Sequence, residues 1–206
     1  MDRSEGLSLL KEKVGSDNLV KHCLATEAIM RVLARRFGED EDKWALAGLL
    51  HDLDFEETKD APHTHGLRTA AMLKDLGVDD EIISTIKAHN AERLGGPSGS
   101  QGRPGPQPQG HPEPSRGGQR QTRFEHALAA AETITGLIVA TALVYPDKKL
   151  AGVRPDSIVK RMKKKDFARN IDRNVIMECE RIGLDLNEFV KICLEAMQKI
   201  SEELGL

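Results

Sequence analysis

Apolar residues recur every three or four positions along almost all of this chain, and nowhere do they alternate with period two over a useful length. A chain patterned this way folds as helix packed on helix, so the expectation is an all-α bundle of roughly eight helices. Ser16 caps a helix running to about Phe37, with Leu19, His22, Thr26, Ile29 and Leu33 along one face and Gly38 at its end. Asp40 caps the next, which carries Trp44, Ala47, Leu50 and His51. Residues 64–76 and 79–90 form two more, split by Gly77, and the Ala-rich stretch 124–144 forms a long one stopped before Pro146. Asp156 opens a short helix near 157–164, Asp166 opens another to about Ile182, and Asp185 with Glu188 starts the last.

The pattern breaks at residues 95–123, of which eight are Gly, six are Pro, and none is Val, Ile, Leu, Met or aromatic. Such a stretch cannot bury apolar surface to offset the entropy of ordering it, so it is expected to be disordered. It reads either as a linker between two domains or as an insertion in one. Each flank alone looks short of a full core, which favours a single domain over 1–206 interrupted by an insertion at 95–123. The 206 residues are 39% apolar, enough for one sizeable core.

Composition excludes several classes. A net charge of -3 gives no global pull toward nucleic acid, and 3% aromatics leave little for stacking bases, so nucleic acid is not an expected partner. Cys23, Cys179 and Cys193 are an odd number, widely spaced, with no CxxC, which argues against a disulfide scaffold or a cysteine-rich zinc site. The charged N-terminus has no apolar signal-like run, and no uninterrupted apolar run reaches 18 residues. The expectation is a cytoplasmic protein that does not cross a membrane.

The chemistry sits in seven histidines: His22, His51, His63, His65, His89, His111 and His126. The sharpest feature is Gly48-Leu49-Leu50-His51-Asp52-Leu53-Asp54, an apolar helix ending in His-Asp-x-Asp. It delivers an imidazole and two carboxylates to one buried edge, a donor set suited to Mn²⁺, Fe, Co²⁺, Ni²⁺, Zn²⁺ or Mg²⁺. His22 lies on the apolar stripe of the preceding helix and can face the same interior. A core histidine standing alone is more often a hydrogen-bonded structural residue; this one has the His-Asp pair beside it. His63 has no clear place in the pattern, His111 falls in the insertion, and His126 reads as a surface residue at a helix start.

His22, the GLLHDLD run and the downstream Thr135-Gly136-Leu137-Ile138 resemble the HD-domain superfamily of metal-dependent phosphohydrolases, in particular its small stand-alone HDIG type. The resemblance covers nearly the whole chain except 95–123 and implies a compact HD-domain helical bundle. It implies His22, His51, Asp52 and Glu132 as metal ligands. Two departures stand out: Asp54 occupies a position where HDIG members often have Gly, and Glu132 stands where the family usually has Asp. His65 and His89 fit a second metal position found in some branches, or are simply helix-end residues favoured by the local dipole. One or two divalent ions are therefore implied.

Asp52 is expected to be ligand and bridging carboxylate, with Asp54 or Glu56 as acceptor of the water proton. The run Lys160–Lys165, followed by Arg169 and Arg173, is the main basic patch. Lys163 and Arg173 are the expected contacts to substrate phosphate, the plainer reading being a solvated helix face. The implied function is a metal-dependent phosphohydrolase acting on a small phosphate ester or nucleotide. The alternatives are a non-catalytic HD module that binds metal or nucleotide in a regulatory role, and a structural helical protein with incidental histidines.

Overall fold

Residues 1–92 and 120–206 are described by the computed structural model. Among them the chain forms α1 (Arg3–Lys13), α2 (Asp17–Phe37), α3 (Glu41–Leu50), α4 (Phe55–Thr58), α5 (Leu67–Asp75), α6 (Asp80–His89), α7 (Arg123–Leu143), α8 (Pro155–Met162), α9 (Arg173–Ile176), α10 (Leu186–Lys199) and α11 (Ser201–Leu204). Three short 3-10 helices join them, and there is no strand among the described residues. All but α4, α9 and α11 span eight residues or more, and the described chain is all-helical, as the periodicity predicts.

The centre of the bundle is the pair α2 and α3. Every residue from Trp44 to Leu50 is buried, so α3 has no solvent face beyond its first turn. It lies flat on α2, and at the crossing Gly48 has no room for a side chain. A Cβ there would meet Thr26 C, Thr26 O and Glu27 N, each at 2.9 Å. The two backbones are therefore in direct contact. The ends of α2 are set locally: the Ser16 hydroxyl accepts from Leu19 N, and Gly38 closes the helix at φ 72°, where a Cβ would be strained.

The long helix α7 starts at a capping box made by Thr122 and Glu125. By length and composition it could cross a membrane, with a mean hydropathy of 1.5. Here it is mostly buried and packs on α2, α6, α8 and α9 as the core helix of the bundle. Its small residues Ala127, Ala129, Ala130 and Ala131 are fully buried and let its neighbours approach closely. Phe124 stacks on Trp44 with ring centroids 4.8 Å apart. On the far side, α10 buries Phe189, Cys193 and Met197 against α2 and α8. All three cysteines are buried free thiols, and burial pushes each above the ordinary thiol range, which leaves them unreactive.

Three elements differ from the sequence reading. The helix α1 was not anticipated; Asp2 and Glu5 form its capping box, and it buries Gly6 and Leu10 over α3. The helix expected from Asp166 to Ile182 is instead a turn, the short α9, and a 3-10 helix at Met177–Ile182. The cause is Arg173, whose guanidinium donates to the carbonyls of Lys164, Phe167, Ala168 and Ile171 and so satisfies the turn, with Ala168 at φ 48°. The third difference is the end of the expected insertion. Residues 95–119, His111 among them, lie outside the described residues, but 120–123 are ordered. Arg120 is buried, bonded to Glu92 and Glu178 and to the carbonyl of His89, and Thr122 caps α7.

The close crossing generates a prediction. Gly48→Ala gains about 1 kcal/mol of helix propensity but drives a methyl into the α2 backbone, which cannot rotate away. Overpacking of this kind costs about 1–3 kcal/mol. The net result is a Tm a few degrees lower in calorimetry; a Tm equal to or above wild type would contradict direct backbone contact.

Candidate metal centre

Four helix ends converge on one carboxylate. His22 projects from the first turns of α2, and His51 and Asp52 follow the last residue of α3. His65 ends the 3-10 helix Pro62–Thr64 just before α5, and His89 is the last residue of α6. Asp52 Oδ2 lies 3.6 Å from His22 Nε2. Asp52 Oδ1 lies 3.0 Å from His65 Nε2 and 3.6 Å from both His51 Nε2 and His89 Nε2. Two groups of metal-ligating atoms result, His22–His51–Asp52 and Asp52–His65–His89, with Asp52 common to both.

The other nitrogen of each ring fixes its role. His51 Nδ1 can only donate to the Gly48 carbonyl, at 2.8 Å, and His89 Nδ1 can only donate to the Ile86 carbonyl, at 2.5 Å. His22 Nδ1 lies 2.8 Å from Thr135 Oγ1, whose single proton goes to the Glu132 carbonyl, so His22 also donates through Nδ1. His65 Nδ1 donates to Asp54 Oδ1 at 2.8 Å. Every neutral ring therefore turns a bare Nε2 lone pair toward Asp52.

This arrangement calls for a cation. His22 Nε2 and His51 Nε2 stand 3.1 Å apart, and His65 Nε2 and His89 Nε2 stand 3.0 Å apart. Two bare nitrogens at that distance repel unless a positive charge lies beside them. Two imidazoles on one ion with bonds of about 2.1 Å at right angles would be separated by about 3.0 Å. The donor set and its spacing thus fit a divalent metal.

The charges agree. Burial holds the His51 imidazole neutral, down to about 3. Burial alone would raise the Asp52 carboxyl, but the surrounding imidazoles, His51 first and then His65, His89 and His22, hold it well below the usual carboxylate range. Burial opposes protonation of His65 too, yet its bonds to Asp52 and Asp54 raise it to about 9. A metal held by His65 would compete with that proton.

Several expected site residues stand elsewhere. Asp54 is buried, and its carboxylate accepts from His65 Nδ1, Gly66 N and Thr69 N. With its lone pairs so engaged it is not free to take a proton from water; it aims His65. Arg173 spends its donors on turn carbonyls, as described above, and neither it nor Lys163 borders the cavity over Asp52. That cavity, about 310 Å³, is bordered by Phe55, Glu132, Asn170 and Asp172 among others, and by no lysine or arginine among the described residues. Glu132 reaches its wall but belongs to neither ligand group. Its Oε1 accepts from the Thr133 hydroxyl at 2.6 Å, and burial pushes its carboxyl upward. Glu56 is exposed and accepts from Gly15 N.

Other residues were missed from sequence. Thr135 anchors His22 from 113 positions away, and Asn90 ties the carbonyls of Pro62 and His65 together. His126 is not a surface residue: it is half-buried and bonded to Glu178 at 2.7 Å. His63 is exposed.

With this geometry in view, the comparisons with known proteins are specific. A family model for the HD domain matches residues 19–137, a span holding His22, His51, Asp52, His65, His89 and Glu132. The chain is similar to ribonuclease Y of Oleidesulfovibrio alaskensis, 30% identical over 77 residues, and to ribonuclease Y of Nitratidesulfovibrio vulgaris, 32% identical over 78. Ribonuclease Y of Fervidobacterium nodosum is 33% identical over 75 residues. These matches cover 36–38% of this chain and only 14–15% of the relatives' own length. No solved structure matches significantly. The family match extends over more than half of the chain and takes in the whole Asp52 cluster: this protein belongs to the HD domain family.

Proposed function

We propose that this chain is a metal-dependent phosphohydrolase of the stand-alone HDIG type, acting in the cytoplasm on a phosphate ester. The observation that carries the reading is the ring of four Nε2 atoms around Asp52, each aimed by a bond at its own Nδ1. A divalent ion in such a site supplies a hydroxide near neutral pH and polarises a phosphoryl oxygen.

The chain's own residues divide the rest of the work. Asp52 presents one oxygen toward His22 and the other toward His51, His65 and His89, so it can serve both ligand groups. Asp54 keeps His65 pointed at Asp52. His22 is the most open of the four rings, with 24% of its side chain exposed, and marks the side from which substrate enters. No lysine or arginine borders the cavity among the described residues, so the substrate's phosphate charge is met at the metal positions. Glu132 is lifted by burial and bonded through Oε1 alone, which favours proton exchange with the leaving oxygen over ligation.

The test is hydrolysis of phosphomonoesters, nucleotides and cyclic nucleotides with Mn²⁺, Mg²⁺, Co²⁺ or Ni²⁺. The similarity to ribonuclease Y adds a short RNA to the panel. Turnover is expected in wild type and none above background in Asp52→Ala. Metal binding without turnover on any substrate would favour the non-catalytic binding module instead.

Two further outcomes follow from the same geometry. Asp54→Asn places amide donors against the Gly66 and Thr69 N–H groups and removes the charge behind His65. It should weaken metal binding about 10–100-fold in calorimetric titration, and wild-type affinity would contradict the aiming role. Metal must also displace the proton that His65 holds up to about 9. Metal affinity should therefore tighten as pH rises from 7 toward 9, with protons released on binding; affinity flat across that range would contradict it.

A further inference from the structure

A second cavity opens beside the metal centre, and we propose that it is the subsite for the part of the substrate that does not react. The inference rests on the phosphohydrolase reading and adds a substrate class to it: a phosphate ester whose alcohol portion is bulky and apolar.

The groove, about 520 Å³, runs between α2, α7 and residues 204–206. It shares His22, Thr135 and Gly136 with the cavity over Asp52, so the two spaces adjoin along one edge. Its walls are mostly apolar, with Ala25, Val139, Ala140, Leu143, Leu204 and Leu206, and Asn18 is the one amide side chain among them. Leu143 is left 49% exposed there, a large apolar side chain facing water. Residue 136, which borders both cavities, is Gly. A Cβ at that position would already meet the Ile171 side chain at 3.1 Å, so anything larger would narrow the passage.

The groove carries one cation. Lys21 is the one lysine or arginine on the groove wall, and it makes no ion pair among the described residues. A phosphate held at Asp52 has its ester oxygen at the edge shared by the two spaces. Its substituent then crosses Gly136 into largely apolar walls. An apolar substituent gains from leaving water there, whereas a polar, hydroxylated one loses hydrogen bonds that Asn18 and Lys21 replace only in part.

The experiment compares kcat/KM for ethyl phosphate and 2-phenylethyl phosphate with the Mn²⁺-loaded full chain, two esters whose leaving alcohols are of similar acidity. Wild type should prefer the phenylethyl ester by about tenfold or more. Val139→Gln and Leu143→Gln, at partly exposed positions that folding tolerates, should erase most of that preference. Gly136→Leu should erase it as well by closing the passage. Equal rates on the two esters, or a preference that survives all three substitutions, would overturn the subsite while leaving the phosphohydrolase reading intact. Hydrolysis of neither ester, nor of any other substrate in the panel, would overturn both.

Discussion

Everything about the site depends on the contact of two helix backbones at Gly48. Because a Cβ there would strike Thr26 and Glu27 at 2.9 Å, α3 can lie against α2 only with hydrogen at that position. The closeness has a direct chemical consequence. His22 stands one turn before Thr26 on α2, and His51 stands three residues after Gly48 and donates to its carbonyl. The crossing therefore brings the two imidazoles to 3.1 Å, edge to face. Asp52, next in sequence, is carried into the same interior, and α5 and α6 complete the ring from the other side. The apolar run Trp44–Leu50 of α3 is the means by which a buried carboxylate is held in place: its burial in the core opposes the cost of drawing a charge out of water.

The electrostatics are consistent only as a whole. A carboxylate as deeply buried as Asp52 would be protonated if it stood alone. The imidazoles stabilise its charged form only where a proton or a cation lies between ring and carboxylate, and two pairs of rings meet lone pair to lone pair. A single proton on His65 relieves one of those contacts and leaves the other. A divalent cation held by each group would relieve both and would offset the charge of Asp52. The cavity above has acidic walls and no cationic ones among the described residues.

Much of this was legible in the sequence, and for local reasons. The caps at Ser16, Gly38, Asp40 and Asp185 act within their own turn, so the residue type alone marks the helix end. The His-Asp pair at the end of an apolar helix, with a histidine on the stripe of the helix before, was enough to point to the centre. What was not legible depends on partners distant in sequence or on backbone atoms. The acceptors that set two of the four ring tautomers are the carbonyls of Gly48 and Ile86, which any residue would supply. Arg173 looks like a phosphate contact until the turn it fastens is seen. Arg120 sits in a stretch whose composition reads as disordered, yet it is buried between Glu92 and Glu178, the second of them 58 positions away. Asp54 looked like a spare carboxylate because nothing in a sequence shows that Gly66 and Thr69 point their N–H groups at it.

The central claim is that the ring of Nε2 atoms around Asp52 is a divalent-metal site. The most direct measurement is anomalous diffraction from a crystal grown with Mn²⁺. The account predicts an anomalous peak bounded by His22, His51 and Asp52, with a second, where present, between Asp52, His65 and His89. A map with no peak at Asp52, or with Mn²⁺ bound only elsewhere on the chain, would contradict it.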